Sequence, residues 1–472
     1  MEITDLTFVP QEGKRLDSND PRRRFVRSHV SRRINVKKGR GGSTSKVKLR
    51  KEVNKRTEDR NSSESLGTSS PERLEGVRWT PEPISVNDDP FDCLPIEAGH
   101  SNGAEDASTW HKVRIPINPA RAYLPIAIGN PALLHVTLLH AAMNSPFLRD
   151  PKFQTALNYH KWKSIEVVNE SIRKSTFDTF TIATVALLAL LESADGSEIA
   201  CRAHMTGLRA LATHVGELDI DTLNPLLRQT IRWIDVAGAM TLQSPLLFTN
   251  TSNSIWNGVS FQTKTMVQVK HIVAKLYLIT GSRALSEPSG NIFQHLKWLS
   301  NGISRIPTSD VAGLEKLDFH TRLDHIERQC IELRNRALES ANGNADLIIA
   351  FSNASLIYIC LIVRGYQRRL GMFEVLSQRT RNAIESMDWL MVDDTIPEML
   401  LWITMVTSLA LGEGEQKRWF SKRVKSVGGS MGLSTATKLA EKVKSFLWVE
   451  NFVSREGLWQ DGVDGCIEME GI

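Results

Sequence analysis

The chain has 472 residues, of which 41% are apolar and 24% are charged. That length allows about two or three domains of roughly 150 residues, and the apolar share fits one real core with a polar appendage. The net charge is only +5, but 18 lysines and arginines face 5 acidic residues between Lys14 and Arg60. This segment therefore carries a net charge of +13 and the remainder −8. The asymmetry predicts a basic tail that binds an acidic partner and is attached to a mildly acidic body.

The cysteine pattern argues against a disulfide framework and against a zinc site. No two of the five cysteines lie close in sequence, so the short spacing that metal-binding thiolates need is missing. We expect reduced thiols in an intracellular protein with no metal and no cofactor. The first residues also lack an apolar stretch long enough for a signal peptide. The five cysteines are Cys93, Cys201, Cys330, Cys360 and Cys466.

Residues 1–60 are predicted to form a basic, largely disordered arm. Asp20-Pro21 is a favourable helix start, so a short helix over 20–38 is expected before a glycine-rich stretch ends it. Three interpretations of the charge remain open: binding to a nuclear import receptor, contact with the backbone of DNA or RNA, and a solvated tail without a dedicated partner. The residues assigned to import or backbone contact are Arg22, Arg23, Arg24, Arg27, Arg32, Arg33, Lys37 and Lys38.

Composition divides the rest of the chain into three further parts. Residues 61–111 are rich in Ser, Glu, Pro, Asn and Asp and show little periodicity, which predicts a disordered linker. Apolar periodicity begins near Trp110, so residues 112–453 are predicted to form one large helical domain. Residues 454–472 are short and acidic and are expected to form a loose tail.

The fold class predicted for this domain is all-α, a single large irregular helical bundle. The sequence contains no clean run of alternating β-branched residues and no Asn-Gly hairpin between two such runs. It also lacks the fixed repeat period of a solenoid. Outside a central hairpin, the predicted helices span 131–143, 153–172, 225–248, 264–280, 289–303, 318–340, 345–370, 372–390, 396–411, 415–427 and 434–447.

The central stretch, 175–216, is predicted to be a helical hairpin around which the domain is organised. Ser175 and Asp178 have the spacing of a capping box, and the helix that follows is apolar on nearly every face. The Asp-Gly-Ser sequence at 195–197 is expected to end this helix and to cap the next one. The second helix should bury Leu208, Leu211, Ala212 and Val215. Its polar side should contain Arg202, Thr206, Arg209 and Thr213.

Residues 347–363 come closest to a membrane span, at about the minimum length for one. Three polar residues, Ser352, Asn353 and Ser355, interrupt this apolar run. We therefore predict a buried core helix and no membrane partner.

No constellation of residues typical of an enzyme is found, so catalysis is not expected. The sequence lacks a nucleophile elbow, a P-loop and a dinucleotide-binding glycine pattern after a strand. The glycine-rich run at 428–432 is predicted to be a loop between helices. His135, His140, His204 and His214 lack the spacing of a zinc site and are expected in the core or at its polar edge. Core positions are also favoured over a ligand pocket for Trp389, Trp402, Trp419 and Trp448.

The order of several short motifs resembles the helical regulatory domain of fungal-specific transcription factors. Residues 175–215 resemble its most recognisable part, with the Ala-His-x-x-Gly-Leu-Arg sequence at 203–209 as the centre. The Val-Arg-Ser-His-Val sequence at 26–30 resembles a motif found ahead of this domain. The resemblance covers about residues 20–40 and 115–450. Further matching motifs are Leu-Leu-His-x-x-Leu-Leu-His-Ala-Ala at 133–142, Tyr159-His160, Pro397-x-x-Leu400-Leu401-Trp402, Arg418-Trp419-Phe420 and Phe446-Leu447-Trp448.

This resemblance implies a nuclear regulator of gene expression with a protein partner in transcription. DNA-binding members usually carry a zinc cluster of six closely spaced cysteines, whereas Cys93 is the only cysteine here before Cys201. Zinc-cluster DNA binding is therefore not carried over to this chain. Two alternatives remain open: a helical interaction or scaffold protein derived from the family that does not bind DNA, and a helical enzyme of small-molecule metabolism.

Overall fold

A computed structural model describes the chain over most of its helical region. Within these ranges the regular elements are helices without strands, which confirms the predicted all-α class. The arm at 1–60 with its proposed helix, the linker at 61–111 and the tail at 454–472 lie outside the described residues. The described ranges are 123–143, 151–176, 178–214, 225–248, 253–305, 319–340, 345–364, 366, 370–387 and 396–449.

Fourteen α-helices are found in the described ranges, together with a 3₁₀ helix at Asn253–Trp256 and a π-helical turn at Ile359–Val363. The helices are α1 Tyr123–Ile128, α2 Pro131–Met143, α3 Pro151–Arg173, α4 Thr179–Asp195, α5 Glu198–His214, α6 Pro225–Leu242, α7 Thr263–Thr280, α8 Arg283–Arg305, α9 Phe319–Glu339, α10 Asp346–Tyr358, α11 Gly371–Ser386, α12 Pro397–Ala410, α13 Glu415–Ser430 and α14 Ala436–Phe446.

The central hairpin forms as predicted from α4 and α5, but its starting cap is different. Asp178 is the N-cap of α4: its carboxylate accepts the backbone N–H of Thr181 at 2.9 Å, and the Thr181 hydroxyl accepts the Asp178 N–H in return. The predicted cap at Ser175 is wrong because Ser175, with φ 53°, donates its N–H to the carbonyl of Ile172 and so ends α3. The predicted C-cap is confirmed at Gly196, which has φ 76°.

The second helix of the hairpin has the amphipathic pattern read from the sequence. Leu208, Leu211 and Ala212 are buried, whereas Arg202, Thr206 and Arg209 are exposed. The side chain of Thr213 and the residue Val215 lie outside what the structure describes. This confirms the predicted stripe over the part of α5 whose side chains are described.

Three helices are buried on every side and form the centre of the bundle: α4, α10 and α12. Helix α4 packs against α2, α5 and α6, and α10 packs against α9, α11 and α12. Helix α11 contacts both α4 and α10 and so joins the two groups. Because a helix without a polar face is stable only when it is surrounded, these three determine where the core lies.

The stretch Asp346–Val363 is long and apolar enough to cross a membrane by length and composition alone, and it is the one such stretch in the part of the chain that the structure describes. Of this stretch, 94% is buried inside the protein, and its helix α10 contacts α9, α11 and α12. The predicted core helix is thereby confirmed.

Several predicted boundaries are wrong, among them the start of α8, which lies at Arg283 and not at residue 289. Helix α13 continues to Ser430 and includes Gly428 and Gly429, which were expected in a loop. Glycine costs a helix only about 1 kcal/mol relative to alanine, and the burial of Val427 and Gly428 outweighs that cost here. Helix α10 and its π-helical continuation end at Val363, before the predicted end at residue 370.

The expectation of a mildly acidic body is wrong as well. Residues 123–449 contain 34 lysines and arginines and 29 acidic residues, so their net charge is +5. The acidic excess lies in the linker and in the tail, outside the described helices.

Candidate functional site

A network of buried charges joins α6 to α9. The carboxylate of Asp235, which is fully buried, accepts the backbone N–H groups of Leu247 and Phe248 at 2.7 and 3.1 Å. Arg328, also fully buried, donates to Asp235 at 3.2 Å and to the carbonyl oxygens of Phe248 and Arg232 at 2.6 and 2.8 Å. The network therefore fixes the segment after α6 onto α9.

A second carboxylate, Asp324, extends this network toward the surface. Asp324 lies one turn before Arg328 on α9 and accepts its Nε at 3.0 Å and the Arg232 Nη2 at 2.7 Å. Burial raises the pKa of Asp235, and the charge of Arg328 with the two backbone N–H groups opposes that shift. Each of these carboxylates has a cationic partner within hydrogen-bond distance, so the network is suited to holding helices and offers no group poised for proton transfer.

A second buried ion pair lies between α9 and the π-helical turn. Arg364 directly follows that turn and makes a two-pronged contact with Glu327, at 2.8 and 2.7 Å. Burial disfavours charge on Arg364, but attraction to Glu327 outweighs it and raises the pKa of the guanidinium. Bidentate pairing of this kind fixes both distance and orientation, so it locks the end of the buried α10 segment onto α9.

Two further arginines hold the carboxyl end of α6. Arg334 of α9 donates to the carbonyl of Ala239 at 3.0 Å. Arg379 of α11 donates to the carbonyls of Met240 and Thr241, both at 2.7 Å. Burial, together with the charge of Arg379, lowers the pKa of Arg334 to about 9. The last carbonyls of a helix lack partners within it and carry partial negative charge, which suits cationic donors.

An aromatic cluster containing two histidines joins the 3₁₀ helix to α8 and α9. Trp256 stacks parallel on His295, with ring centroids 3.8 Å apart. The guanidinium of Arg322 lies over Trp256 and Trp298, at 5.0 and 4.9 Å from the ring centroids, and His325 lies 6.2 Å from His295. Burial lowers the pKa of His295 to about 4 and also lowers that of His325. Near neutral pH, Arg322 therefore supplies the cluster's charge.

Of the four histidines predicted to lie in the core or at its polar edge, His135, His140 and His204 do so, and the side chain of His214 lies outside what the structure describes. His140 is buried and bonds through Nε2 to the carbonyl of Leu187 at 2.9 Å, and burial lowers its pKa to about 4. Burial lowers the pKa of His204 to about 3. His135 and His160 share a hydrogen bond at 2.8 Å between α2 and α3. No group of three or more His, Cys, Asp or Glu side chains suited to a metal ion occurs among the described residues.

We expect the free energy of unfolding of the domain to fall as the pH drops below about 6.5, the pKa of a histidine in the unfolded chain. A buried histidine such as His140 is neutral in both states above its unfolded pKa of about 6.5, so it imposes no penalty there. Between about pH 6.5 and 4 the unfolded chain takes up the proton first, which favours unfolding. His140 alone should account for about 2 kcal/mol between about pH 7.5 and 5.

Urea denaturation at these two pH values checks this prediction. His140→Gln keeps a side-chain N–H donor for the Leu187 carbonyl but cannot titrate, so its loss of stability should be smaller than that of the unaltered chain by about 2 kcal/mol. Equal losses in both proteins would contradict a neutral, buried His140.

Three of the four tryptophans predicted to lie in the core fall within the described ranges. Trp402 is fully buried and donates its indole N–H to the Leu447 carbonyl at 2.8 Å, and Trp448 is buried beside it. Trp419 is half-buried under the guanidinium of Arg381, 5.2 Å from the ring centroid. The core assignment is confirmed for Trp402 and Trp448, and Trp389 lies outside the described ranges.

The fungal specific transcription factor domain is the family whose sequence model matches this chain, over residues 114–445. This match spans more than two thirds of the chain and includes the three central helices α4, α10 and α12. The chain belongs to this family. No curated protein and no solved structure matches it.

The motifs that resemble the fungal specific transcription factor domain lie in or beside the buried centre of the bundle. Leu208 and His204 of the 203–209 motif are buried on α5. Pro397 is the first residue of α12 and needs no backbone N–H there. These three motif positions therefore serve packing or helix formation, whereas the motif residues Tyr159 and Arg209 are exposed.

The eight arm residues assigned to import or nucleic-acid contact lie outside the described residues, from Arg22 to Lys38. Sequence reasoning missed the buried charges of the family domain. The signal that could have revealed them is a lone charge in an apolar run, such as Asp235 within 233–242, or Arg364 at the end of the run 347–363.

Proposed function

We propose that this chain is a nuclear regulator of transcription that acts through its helical domain and lacks a zinc cluster of its own. The match of residues 114–445 to the fungal specific transcription factor domain carries this proposal. The family indicates regulation of transcription. Action in the nucleus and function without a zinc cluster are the two points that we add as a proposal. In the 472 residues, the cysteines needed for such a cluster are missing.

We assign to the basic arm the role of carrying the protein into the nucleus or onto DNA. Its charge of +13 between Lys14 and Arg60 suits an import receptor, and the same charge suits the phosphate backbone of DNA. Contact with phosphates places a protein on DNA without reading its sequence. The helical domain would then bring a protein partner to that position.

The domain itself favours binding over catalysis. Its described buried carboxylates are paired with basic side chains: Asp235 and Glu327 with arginines, and Glu192 with Lys161. Burial raises the pKa of the Cys201 thiol to about 12, so this thiol is a poor nucleophile at neutral pH. The family likewise supports a role that is not enzymatic.

The arm is tested in the full-length chain fused to a fluorescent protein. We expect nuclear fluorescence, and we expect it to be lost when the eight assigned residues are all changed to glutamine. A matched control changes six other basic residues of the arm to glutamine, namely Lys46, Lys48, Arg50, Lys51, Lys55 and Arg56. An equal loss in both variants would assign import to total charge, and cytoplasmic fluorescence of the unaltered chain would remove the import proposal.

The dependence of DNA binding on salt separates import from contact with DNA. Binding of the full-length chain to duplex DNA should weaken steeply as salt increases, because each neutralised phosphate releases bound cations. A flat dependence on salt would exclude backbone contact. If the chain reaches the nucleus but occupies no chromatin, a scaffold protein that does not bind DNA becomes the better description.

A further inference from the structure

Helix α7 exposes an apolar face. It packs chiefly against α8, and along its opposite side Val267 and Leu278 are 63% and 73% exposed. Met266 and Tyr277 are also exposed large apolar residues, and Ala274 lies between them on the same side. Neighbouring apolar residues that remain in solvent on one helix face are typical of an interaction surface.

The charges on α7 all have one sign. The helix carries Lys264, Lys270 and Lys275 and contains no acidic residue. Lys264 and Lys270 are exposed beside the apolar positions. A partner that matches both the apolar and the basic character of this face would itself be apolar and acidic.

A segment that is both acidic and apolar follows α14 directly. Residues 450–472 hold six acidic residues and one basic residue, Arg455. Apolar residues alternate with these acids, at Phe452, Val453, Leu458, Trp459, Val463, Ile467, Met469 and Ile472.

The described chain ends close to α7. Lys297 of α8 donates to the carbonyls of Ser445 and Phe446 at 2.9 and 2.6 Å, so the end of α14 lies against that part of α8. One turn earlier on α8, the amide of Gln294 is 3.1 Å from the sulfur of Met266 on α7. The 23 residues that follow Val449 can extend about 75 Å, and the 18 residues of α7 measure about 27 Å.

We propose that the exposed face of α7 binds the acidic tail of the same chain, residues 450–472. The tail leaves the domain beside α8, is long enough to cover α7, and has the opposite charge and a matching apolar content. Being tethered, it reaches the surface at a high local concentration, so modest contacts suffice. The bound tail keeps this face from acidic apolar segments of other proteins.

Disulfide trapping in the full-length chain tests this proposal, because Cys466 lies in the tail. The three described cysteines, Cys201, Cys330 and Cys360, are buried, and Cys93 is replaced by serine. Ala274→Cys then places a thiol on the α7 face. Ala203→Cys places a thiol at another exposed helix position, on α5, as the matched control. Under oxidised glutathione we expect an intramolecular disulfide to form about ten-fold faster with the α7 thiol.

Charge and apolar contact are tested in the same assay. Lys264→Glu with Lys270→Glu, and separately Trp459→Ala, should each slow trapping at the α7 site at least several-fold without changing the control rate. Equal trapping rates at the α7 and α5 sites would overturn the proposal. A disulfide that joins two chains would also overturn it and would show that the face binds a second copy of the chain. If none of the three substitutions slowed trapping at the α7 site, the disulfide would reflect chance collision of a tethered thiol, and the proposal would be wrong.

Discussion

Arg328→Met is expected to lower the free energy of unfolding by about 3–5 kcal/mol, because it leaves the buried carboxylate of Asp235 without its cationic partner. The substitution preserves most of the side-chain volume, so the loss reports on charge and hydrogen bonds more than on packing. It also removes the donors to the Phe248 and Arg232 carbonyls. Urea denaturation at neutral pH measures the effect.

Two comparisons make this expectation specific. Arg336→Met, on the same helix, removes an exposed ion pair with Glu332 and should cost about 1 kcal/mol or less. Asp235→Asn combined with Arg328→Met removes the buried charge as well, so the double variant should recover at least about 1 kcal/mol relative to the single one. Equal costs for Arg328→Met and Arg336→Met would show that the buried pair has no special weight. If Arg328→Met fails to fold, the soluble yields of the single and double variants give the same comparison.

Gly371→Ala should be about as damaging, with an expected loss of about 3 kcal/mol. Helix α11 begins at Gly371 directly against the end of α4. A Cβ added there would lie 2.1 Å from the carbonyl oxygen of Asp195 and 2.5 Å from the backbone nitrogen of Gly196. Both neighbours are backbone atoms at a helix end, so neither can rotate away as a flexible side chain would. Thermal and urea unfolding measure the loss.

Gly429→Ala is the matched control for this substitution. Gly429 lies in the last turn of α13, and a Cβ added there would meet nothing within 4 Å. Because alanine favours a helix over glycine by up to about 1 kcal/mol, this variant should be neutral or slightly more stable. A loss at Gly429 equal to that at Gly371 would mean that the contact between α4 and α11 is not the cause.

Periodicity was sufficient to predict the class of fold and the main hairpin. The apolar run of α4 and the stripe containing Leu208 and Leu211 depend on local spacing, which the sequence displays directly. The helix end at Gly196 also follows from a local property, since glycine adopts a left-handed backbone at little cost.

The misplaced helix ends have a common cause. Ser175 and Asp178 are both good capping residues, and only the preceding helix determines that Ser175 is used to end α3. Gly428 and Gly429 stay helical because α13 packs on α12 and buries Gly428. In both places a contact distant in sequence overrides a local preference.

The buried charges could not be assigned in advance because their partners are far apart in sequence. Arg328 bonds to Asp235, and Arg364 to Glu327, across separations of 93 and 37 residues. Each charge taken alone resembles any other polar residue on a helix. Only the packing of α6, α9 and the π-helical turn brings the opposite charges together.

The position of helix α11 determines whether the domain stays assembled after proteolytic cleavage of its backbone. It contacts both α4 and α10, and its Arg379 holds the end of α6. A protease cut between α8 and α9 would leave two fragments that still share these interfaces. We therefore expect the pieces to remain associated and to reconstitute by complementation when they are co-expressed, whereas a chain that stops before α11 would leave the buried sides of α4 and α10 open to water.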